Sequence, residues 1–115
     1  MTLNSIDYKQ KVDGGKRYER TEFTLGEHYR VVKNVTVYED GEIYKRFQVD
    51  MSYEDRQRNY IPDIYYEDGI FGDGKPEFKI QTAGYGAMDA ETIKKIIAGY
   101  QEALEAVEIL NKNFC

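Results

Sequence analysis

The chain holds few residues of the types that perform acid–base or nucleophilic chemistry. His28 is its only histidine and Cys115 is its only cysteine, and neither has a Ser, Cys or second His at a spacing typical of a catalytic or metal site. A single cysteine also excludes an intramolecular disulfide and a thiolate metal cluster. We therefore predict that the protein is not an enzyme and has no catalytic, metal-binding or cofactor-binding residue. We interpret His28 as an ordinary position at the start of a strand.

Two glycine-containing segments share some features with ligand-binding loops. Residues 67–77 are rich in Asp and Gly, as calcium loops are, but Gly69 and Phe71 stand at positions that need oxygen ligands. Residues 84–86 (Gly-Tyr-Gly) precede a predicted helix, where backbone amides and the helix dipole can hold a phosphate. That segment lacks a third glycine and a Lys-Ser/Thr pair, and Asp89 places a negative charge there. We interpret the first segment as a solvated hairpin loop and the second as a structural hinge.

The charge balance bears on the kind of partner. The chain has 16 basic and 21 acidic residues, a net charge of −5 and a pI near 4.9. Because Lys and Arg supply most of the affinity for phosphates, this balance argues against direct binding of nucleic acid. Residues 39–77 carry five basic and eleven acidic groups, whereas residues 1–38 carry seven basic and five acidic ones. The negative middle segment could attract a basic protein partner.

Tyrosine is unusually frequent, with eleven copies and no Trp. Because alternation along a strand sends neighbours to opposite faces, several of these tyrosines must be exposed. Exposed tyrosine suits protein recognition, since it offers a large contact area at low entropic cost, although it is also a good β-former for a half-exposed face. We predict that tyrosines and acidic groups of the middle segment bind a protein. The predicted contact residues are Tyr44, Tyr60, Asp63, Tyr65, Glu67, Asp68 and Asp73.

Strands are predicted over most of residues 1–82. Period-two alternation between Gly-containing turns predicts about six antiparallel strands joined as hairpins. Residues 13–15 (Asp-Gly-Gly) predict the first tight turn, and residues 52–59 predict a connecting loop with one helical turn at most. Residues 60–66 and 77–82 predict a third hairpin with a long loop.

The hairpin around Gly41 admits two registers, and the side-chain faces distinguish them. A two-residue turn scatters the apolar residues of its strands over both faces. A three-residue loop with Gly41 in the left-handed conformation instead gathers one apolar face. In this register Val37 pairs with Ile43, and Val31 pairs with Val49. We predict the second register, with the opposite, polar face in water.

A long amphipathic helix is predicted over residues 89–111, after a Gly-containing link at residues 83–88. Asp89 is a favourable N-cap. We predict that its apolar stripe lies across the sheet and closes the core. Gly99 costs about 1 kcal/mol in a helix interior, which we interpret as a sign of close approach to a strand. The stripe consists of Ile93, Ile96, Ile97, Tyr100, Leu104, Val107 and Leu110.

These elements define the predicted fold class and its setting. At 115 residues, with 41% apolar and 32% charged residues, the chain suits one two-layer domain spanning residues 1–115. The predicted class is α+β: a single antiparallel sheet of about six strands with one C-terminal helix packed on one face. No signal-like or membrane-length apolar run occurs, and with one cysteine the chain is predicted to be cytoplasmic, without membrane contact.

The tyrosine-rich hairpins and the closing helix carry a family resemblance. Residues 36–44 (TVYEDGEIY) and 63–69 (DIYYEDG) resemble hairpins of small acidic proteins from phages and mobile elements, of the anti-CRISPR type. This resemblance implies a phage-encoded inhibitor whose acidic groups imitate nucleic-acid phosphates in a basic groove of a host protein. It assigns no role to a particular residue.

Two alternatives from other functional classes stay open on the sequence. One is a self-associating structural protein that joins through a sheet edge or the tyrosine-rich face. The other is a small ligand-binding domain or enzyme with a pocket between helix and sheet. For that pocket, Tyr100 is the one inward-pointing polar candidate.

Overall fold

The computed structural model describes residues 1–69 and 74–115 and confirms the α+β class. The described part contains six antiparallel strands, which divide into a four-stranded sheet in the order β1-β2-β3-β4 and a two-stranded sheet, β5-β6. The elements in chain order are β1 (Leu3–Asp13), β2 (Lys16–Leu25), β3 (Tyr29–Val37), β4 (Ile43–Asp50), α1 (Tyr53–Asn59), β5 (Ile64–Glu67), β6 (Glu77–Ile80) and α2 (Ala90–Phe114).

The β3–β4 hairpin has the register that gathers one apolar face. Val37 lies opposite Ile43, and Val31 lies opposite Val49. Gly41 has a φ of 87°, which a residue with a side chain rarely adopts. The N–H of Tyr38 donates to the carbonyl oxygen of Glu42 at 2.9 Å and closes a three-residue loop. The prediction from turn chemistry and side-chain alternation is therefore confirmed.

The described residues cover one end of this four-stranded sheet and leave the other exposed. Near α2, its apolar face buries Leu25, Val31 and Phe47. Toward the hairpin turns, the same face carries Val12 and Ile43, which are 67% and 60% exposed. The molecule is consequently elongated, with extents of 57 × 32 × 21 Å, and the paired turns project beyond the core.

α1 connects the two sheets as a short helix. Residues 52–59 are more regular than the predicted loop, because the Ser52 hydroxyl caps the helix by accepting the N–H of Asp55 at 3.1 Å. The helix ends at Tyr60, whose φ of 53° is left-handed. A left-handed residue at this position terminates a helix and turns the chain.

α2 begins as predicted but buries a different side. The Asp89 carboxylate accepts the N–H of Thr92 at 2.8 Å, and the helix continues past the predicted end to Phe114. The predicted stripe is wrong at three positions: Ile93, Ile97 and Leu104 are 41%, 53% and 52% exposed. Leu110 is buried as predicted, and the other predicted members are half-buried. The buried side consists of Gly99, Ala103, Ala106 and Leu110.

Close packing explains which side of α2 is buried. A Cβ atom added to Gly99 would lie 2.5 Å from the carbonyl oxygen of Tyr60, so the helix can rest on the end of α1 only through a residue without a side chain. The predicted close approach exists, but its neighbour is the C-terminal end of α1 and not a strand. The small residues on this side let α2 lie so close to the end of α1 that a row of Ile and Leu side chains would not fit between them.

An aromatic cluster joins the two sheets to α2. The ring of Phe47 lies 4.8 Å from Tyr66, 5.2 Å from Phe78 and 4.9 Å from Phe114, measured between centroids. The Asn111 side chain accepts the N–H of Phe78 at 2.7 Å and donates to its carbonyl oxygen at 3.2 Å. The helix side chain thus takes the place of a neighbouring strand on the outer edge of β6.

Candidate interaction site

The predicted contact residues divide between two grooves. Tyr44, Tyr65 and Asp68 line a groove of about 320 Å³ between β4 and β5, here called the β4–β5 groove. Tyr60 and Asp63 line a second groove of about 400 Å³, between the end of α1 and the link that precedes α2, here called the link groove.

Glu67 does not line either groove. Glu67 lies on β5, on the same face as Tyr65, where its carboxylate forms an ion pair with Lys79. Asp73 falls outside the described residues. The structure therefore brings three of the predicted residues together in one groove, places two in the other and leaves Glu67 outside both.

Both walls of the β4–β5 groove are strand edges. The hydrogen-bonded pair formed by Tyr38 and Glu42 means that alternate residues of β4, among them Phe47 and Val49, point their N–H and C=O groups away from β3. Just before β5, the carbonyl oxygen of Asp63 accepts the N–H of Gln81, which follows β6. Because backbone direction alternates along a strand, the N–H and C=O groups of Ile64 and Tyr66 point away from β6, toward the groove. Within the described ranges, no strand is hydrogen-bonded to β4 on this side.

Tyrosines supply the accessible aromatic surface of the β4–β5 groove. Tyr44 and Tyr65 are 45% and 43% exposed. Tyr66, by contrast, is half-buried and packs on Phe78 with its ring centroid 5.0 Å away. Burial raises the pKa of the Tyr66 phenol, so its hydroxyl stays protonated at neutral pH. The groove combines one anchored aromatic ring with two that are free to contact a partner.

The charges around the grooves are mixed and partly neutralised. Lys45, Arg46 and Asp68 all line the β4–β5 groove. Asp63 forms an ion pair with Arg56 at 3.0 Å. The hydrogen bond from Lys79 to Glu67 raises the pKa of the Lys79 ammonium. Two of the predicted acidic contacts are therefore engaged within the chain, which the sequence pattern did not indicate.

The link groove is organised by tyrosines that contact one another. The rings of Tyr60 and Tyr85 lie 6.4 Å apart, edge to face. The Tyr100 hydroxyl accepts the N–H of Ala83 at 3.2 Å, so this side chain fastens the link to α2. Burial, together with the neighbouring Tyr100, raises the pKa of Tyr85. The polar candidate for a pocket between helix and sheet is thus occupied by a structural hydrogen bond.

His28 was predicted at the start of a strand but lies in the turn before β3, one residue before the strand begins at Tyr29. Its Nδ1 is 3.2 Å from the Asp55 carboxylate, and its Nε2 is 3.8 Å from that of Glu102. The Ser52 hydroxyl and then His28 lower the pKa of Asp55, whereas burial raises the pKa of Glu102. These contacts tie the turn to α1 and α2. Among the described residues, no group of three acidic, His or Cys side chains is placed to hold a metal.

A depression on the opposite face of the large sheet was missed by the sequence analysis. It measures about 590 Å³, and its lining includes Lys9, Lys11, Tyr18 and Arg20. The register places Lys9 opposite Arg20 and Lys11 opposite Tyr18. The predicted turn at residues 13–15 and strand alternation could have revealed this basic surface. Arg20 pairs with Glu22 at 2.5 Å, so the positive charge is reduced there too.

Comparison with protein-family models, curated protein sequences and solved structures gives no match to this chain. In the part of the chain that the structure describes, neither helix is both long enough and apolar enough to cross a membrane. Function must therefore be argued from the geometry of the grooves and exposed surfaces.

Proposed function

We propose that this chain is a non-enzymatic, cytoplasmic protein-binding module whose contact surface is the β4–β5 groove. One observation carries the proposal. Tyr44 and Tyr65, from strands that are not hydrogen-bonded to each other, are both exposed and line the same groove. Tyrosine is enriched where proteins bind one another, because its ring is apolar and its hydroxyl can form a hydrogen bond.

The groove suits an extended segment of a partner protein. The outward N–H and C=O groups of Phe47 and Val49 can pair with a partner backbone, as in other cases of strand addition. Tyr44 and Tyr65 can then hold the side chains of that segment. Main-chain pairing supplies affinity and the tyrosines supply specificity, and neither requires bound metal or cofactor.

The specific form of this proposal is a phage-encoded inhibitor of the anti-CRISPR type, which presents acidic and tyrosine side chains to a basic, nucleic-acid-binding surface of a host protein. Its support is the resemblance of the two hairpins and the charge of residues 39–77, with eleven acidic and five basic groups. Because Asp63 and Glu67 are already paired with Arg56 and Lys79, contact by the tyrosines carries more weight here than charge alone.

The proposal is tested by capture with matched tyrosine variants. The chain is immobilised and incubated with lysates of bacteria, and retained proteins are identified by mass spectrometry at increasing salt concentrations. The double variant Tyr44→Ala/Tyr65→Ala should lose the specific partner, because truncating two interface tyrosines weakens binding by roughly 2–4 kcal/mol in total, more than tenfold.

Tyr53→Ala is the matched control, since Tyr53 lies on α1 and is 73% exposed. It should retain the partner that the double variant loses. Retention of the same proteins by all variants would contradict the assignment to the β4–β5 groove. Binding that does not weaken with salt would contradict the acidic inhibitor specifically, because exposed charge pairs are screened by salt.

A further inference from the structure

Three large apolar side chains on α2 are left exposed by the fold. Ile93, Ile97 and Leu104 are 41%, 53% and 52% exposed, and Met88, just before the helix, is 38% exposed. On the helix itself, Ile93, Ile97, half-buried Tyr100 and Leu104 recur at spacings of four, three and four residues. We call Ile93, Ile97, Tyr100 and Leu104 the α2 seam. This spacing is that of helices that pack along one another as a coiled coil.

The seam is separate from the side of α2 that packs on the rest of the chain. Adjacent helix residues are about 100° apart around the axis, so buried Ala103 and exposed Leu104 face directions that differ by that angle. Gly99, Ala106 and Leu110 are buried on the Ala103 side. Ile93, Ile97 and Leu104 therefore stay accessible while the core of the monomer is complete. Tyr100 between them is half-buried, and its hydroxyl accepts the N–H of Ala83 in the link.

Charged and polar residues border the seam in a distinctive order. Lys94, Gln101 and Glu108 follow at seven-residue spacing, so they form one line beside the seam. All three are exposed. The line is positive at its start, where Lys94 also pairs with the exposed Glu91 at 3.2 Å, neutral at its centre and negative at its end.

We propose that the α2 seam is a self-association surface on which the α2 of a second copy packs in the antiparallel direction. Reversing one helix places Lys94 opposite Glu108 of the second copy and brings the two Gln101 side chains together at the two-fold axis. Both ends of the pair then gain an ion pair. A parallel pair would instead place the two lines on opposite sides of the seam, so Lys94 and Glu108 would not face each other.

The size of the seam sets the expected strength of the dimer. From Ile93 to Leu104 the helix rises by roughly 17 Å, so the seam buries a smaller area than a standard protein–protein interface. We therefore expect a reversible dimer with a dissociation constant of roughly tens to hundreds of micromolar. This association lies on α2 and leaves the β4–β5 groove open, so it goes beyond the proposed function and does not depend on it.

The test is sedimentation equilibrium of the full chain between about 10 µM and about 1 mM, a range that brackets the expected dissociation constant. The mass should rise from the 13.4 kDa of one chain toward twice that value. Leu104→Glu should keep the mass of one chain throughout. This side chain is 52% exposed, so the variant should keep the circular dichroism spectrum of the parent.

Charge exchange tests the antiparallel direction. Lys94→Glu alone and Glu108→Lys alone should each weaken the dimer roughly tenfold, because each creates two like-charged pairs in place of two ion pairs. An equimolar mixture of these two variants should dimerise again, since every facing pair in the mixed dimer is then of opposite charge. The double variant Lys94→Glu/Glu108→Lys should also recover.

Lys95→Glu is the matched control, because it makes the same charge change one residue away on another side of α2 and should leave the dimer unchanged. A chain that keeps a mass of 13.4 kDa at every concentration overturns the proposal. A mixture that associates no better than either single variant also overturns it. If Leu104→Glu does not fold, the exposed charge variants still decide between these outcomes.

Discussion

Gly99 determines how closely α2 approaches α1. Its missing side chain leaves room for the carbonyl oxygen of Tyr60, which would lie 2.5 Å from an added Cβ. The neighbour is main chain, so it cannot swing aside as the tip of a flexible side chain would. The glycine is therefore required by packing, although glycine weakens a helix by about 1 kcal/mol relative to alanine.

Replacement of Gly99 should lower stability in spite of the gain in helix propensity. We expect Gly99→Ala to reduce the free energy of unfolding by about 1–3 kcal/mol, because overpacking costs more than propensity returns. Urea denaturation measures the change. The control is Ala98→Gly at an exposed neighbouring position, which should cost about 1 kcal/mol through propensity alone. A Gly99→Ala protein that is more stable than the parent would refute the packing argument.

Asn111 shows a second role that a single side chain takes in this fold. Its amide meets both backbone groups of Phe78, which point away from β5 and would otherwise lose water on burial against α2. An unsatisfied buried backbone group costs roughly 1–3 kcal/mol. Asn111 was predicted only as the end of the helix, because nothing local identifies the distant strand edge that it serves.

The start of α2 links the stability of this element to pH. The backbone N–H of Thr92 lowers the pKa of Asp89 below its ordinary value of 3.8. Because the folded-state pKa is below the unfolded one, the carboxylate stabilises the fold above pH 3.8 and loses this contribution as the pH falls through the folded pKa. The same sign holds for Asp55 at the start of α1, whose pKa is lowered chiefly by Ser52.

Replacing Asp89 with a residue that does not ionise should make the stability of the fold less dependent on pH in the acid range. Asp89→Asn keeps a favourable N-cap but has no group that ionises at this position. When the melting temperature is measured from neutral pH to pH about 2, it should fall less steeply for this variant than for the parent below the ordinary Asp pKa. Asp7→Asn, on the exposed strand β1, serves as the control and should follow the parent. If the melting temperatures of Asp89→Asn and the parent changed identically with pH, ionisation of Asp89 would make no contribution to stability.

The whole molecule has a covered end and a bare end. α2 and the β5–β6 hairpin pack on the sheet near Leu25 and Phe47, whereas Val12 and Ile43 near the turns stay exposed. Burial of apolar area is the dominant stabilising contribution, so the two ends should differ in local stability. Exposed surfaces are also arranged on different sides, with the groove on the sheet edge and the seam on α2.

Hydrogen exchange should reveal this gradient along single strands. At the bare end, β2 begins after the turn at residues 14–15 and β3 ends before the loop at residues 39–41. We expect backbone amides there to exchange at least tenfold faster than amides of the same strands near Leu25 and Val31, because local opening of the bare end exposes little apolar surface. Exchange measured by NMR at one pH gives the ratio. Uniform protection from turn to core would mean that the sheet opens only as one unit.

Local signals account for the parts of the fold that were predicted well. The register around Gly41 follows from a positive φ and from alternation, and the start of α2 follows from the capping side chain of Asp89. The grooves were less accessible to sequence reasoning. Nothing local shows that Tyr44 and Tyr65 line one groove while Tyr60 lines another, because this arrangement depends on how β5 docks beside β4.

The sequence predicts that α2 is amphipathic, but only the tertiary structure decides which side of it is buried. Its sequence contains a bulky apolar row and, one residue along, a row of small residues, and both have the spacing of a packed helix face. Sequence periodicity alone predicts that the bulky row is buried, since burying large apolar side chains stabilises a fold more than burying small ones. The contact between Gly99 and the Tyr60 backbone selects the small row, because only a close approach lets α1, β6 and α2 enclose one core, and it leaves Ile93, Ile97 and Leu104 in water.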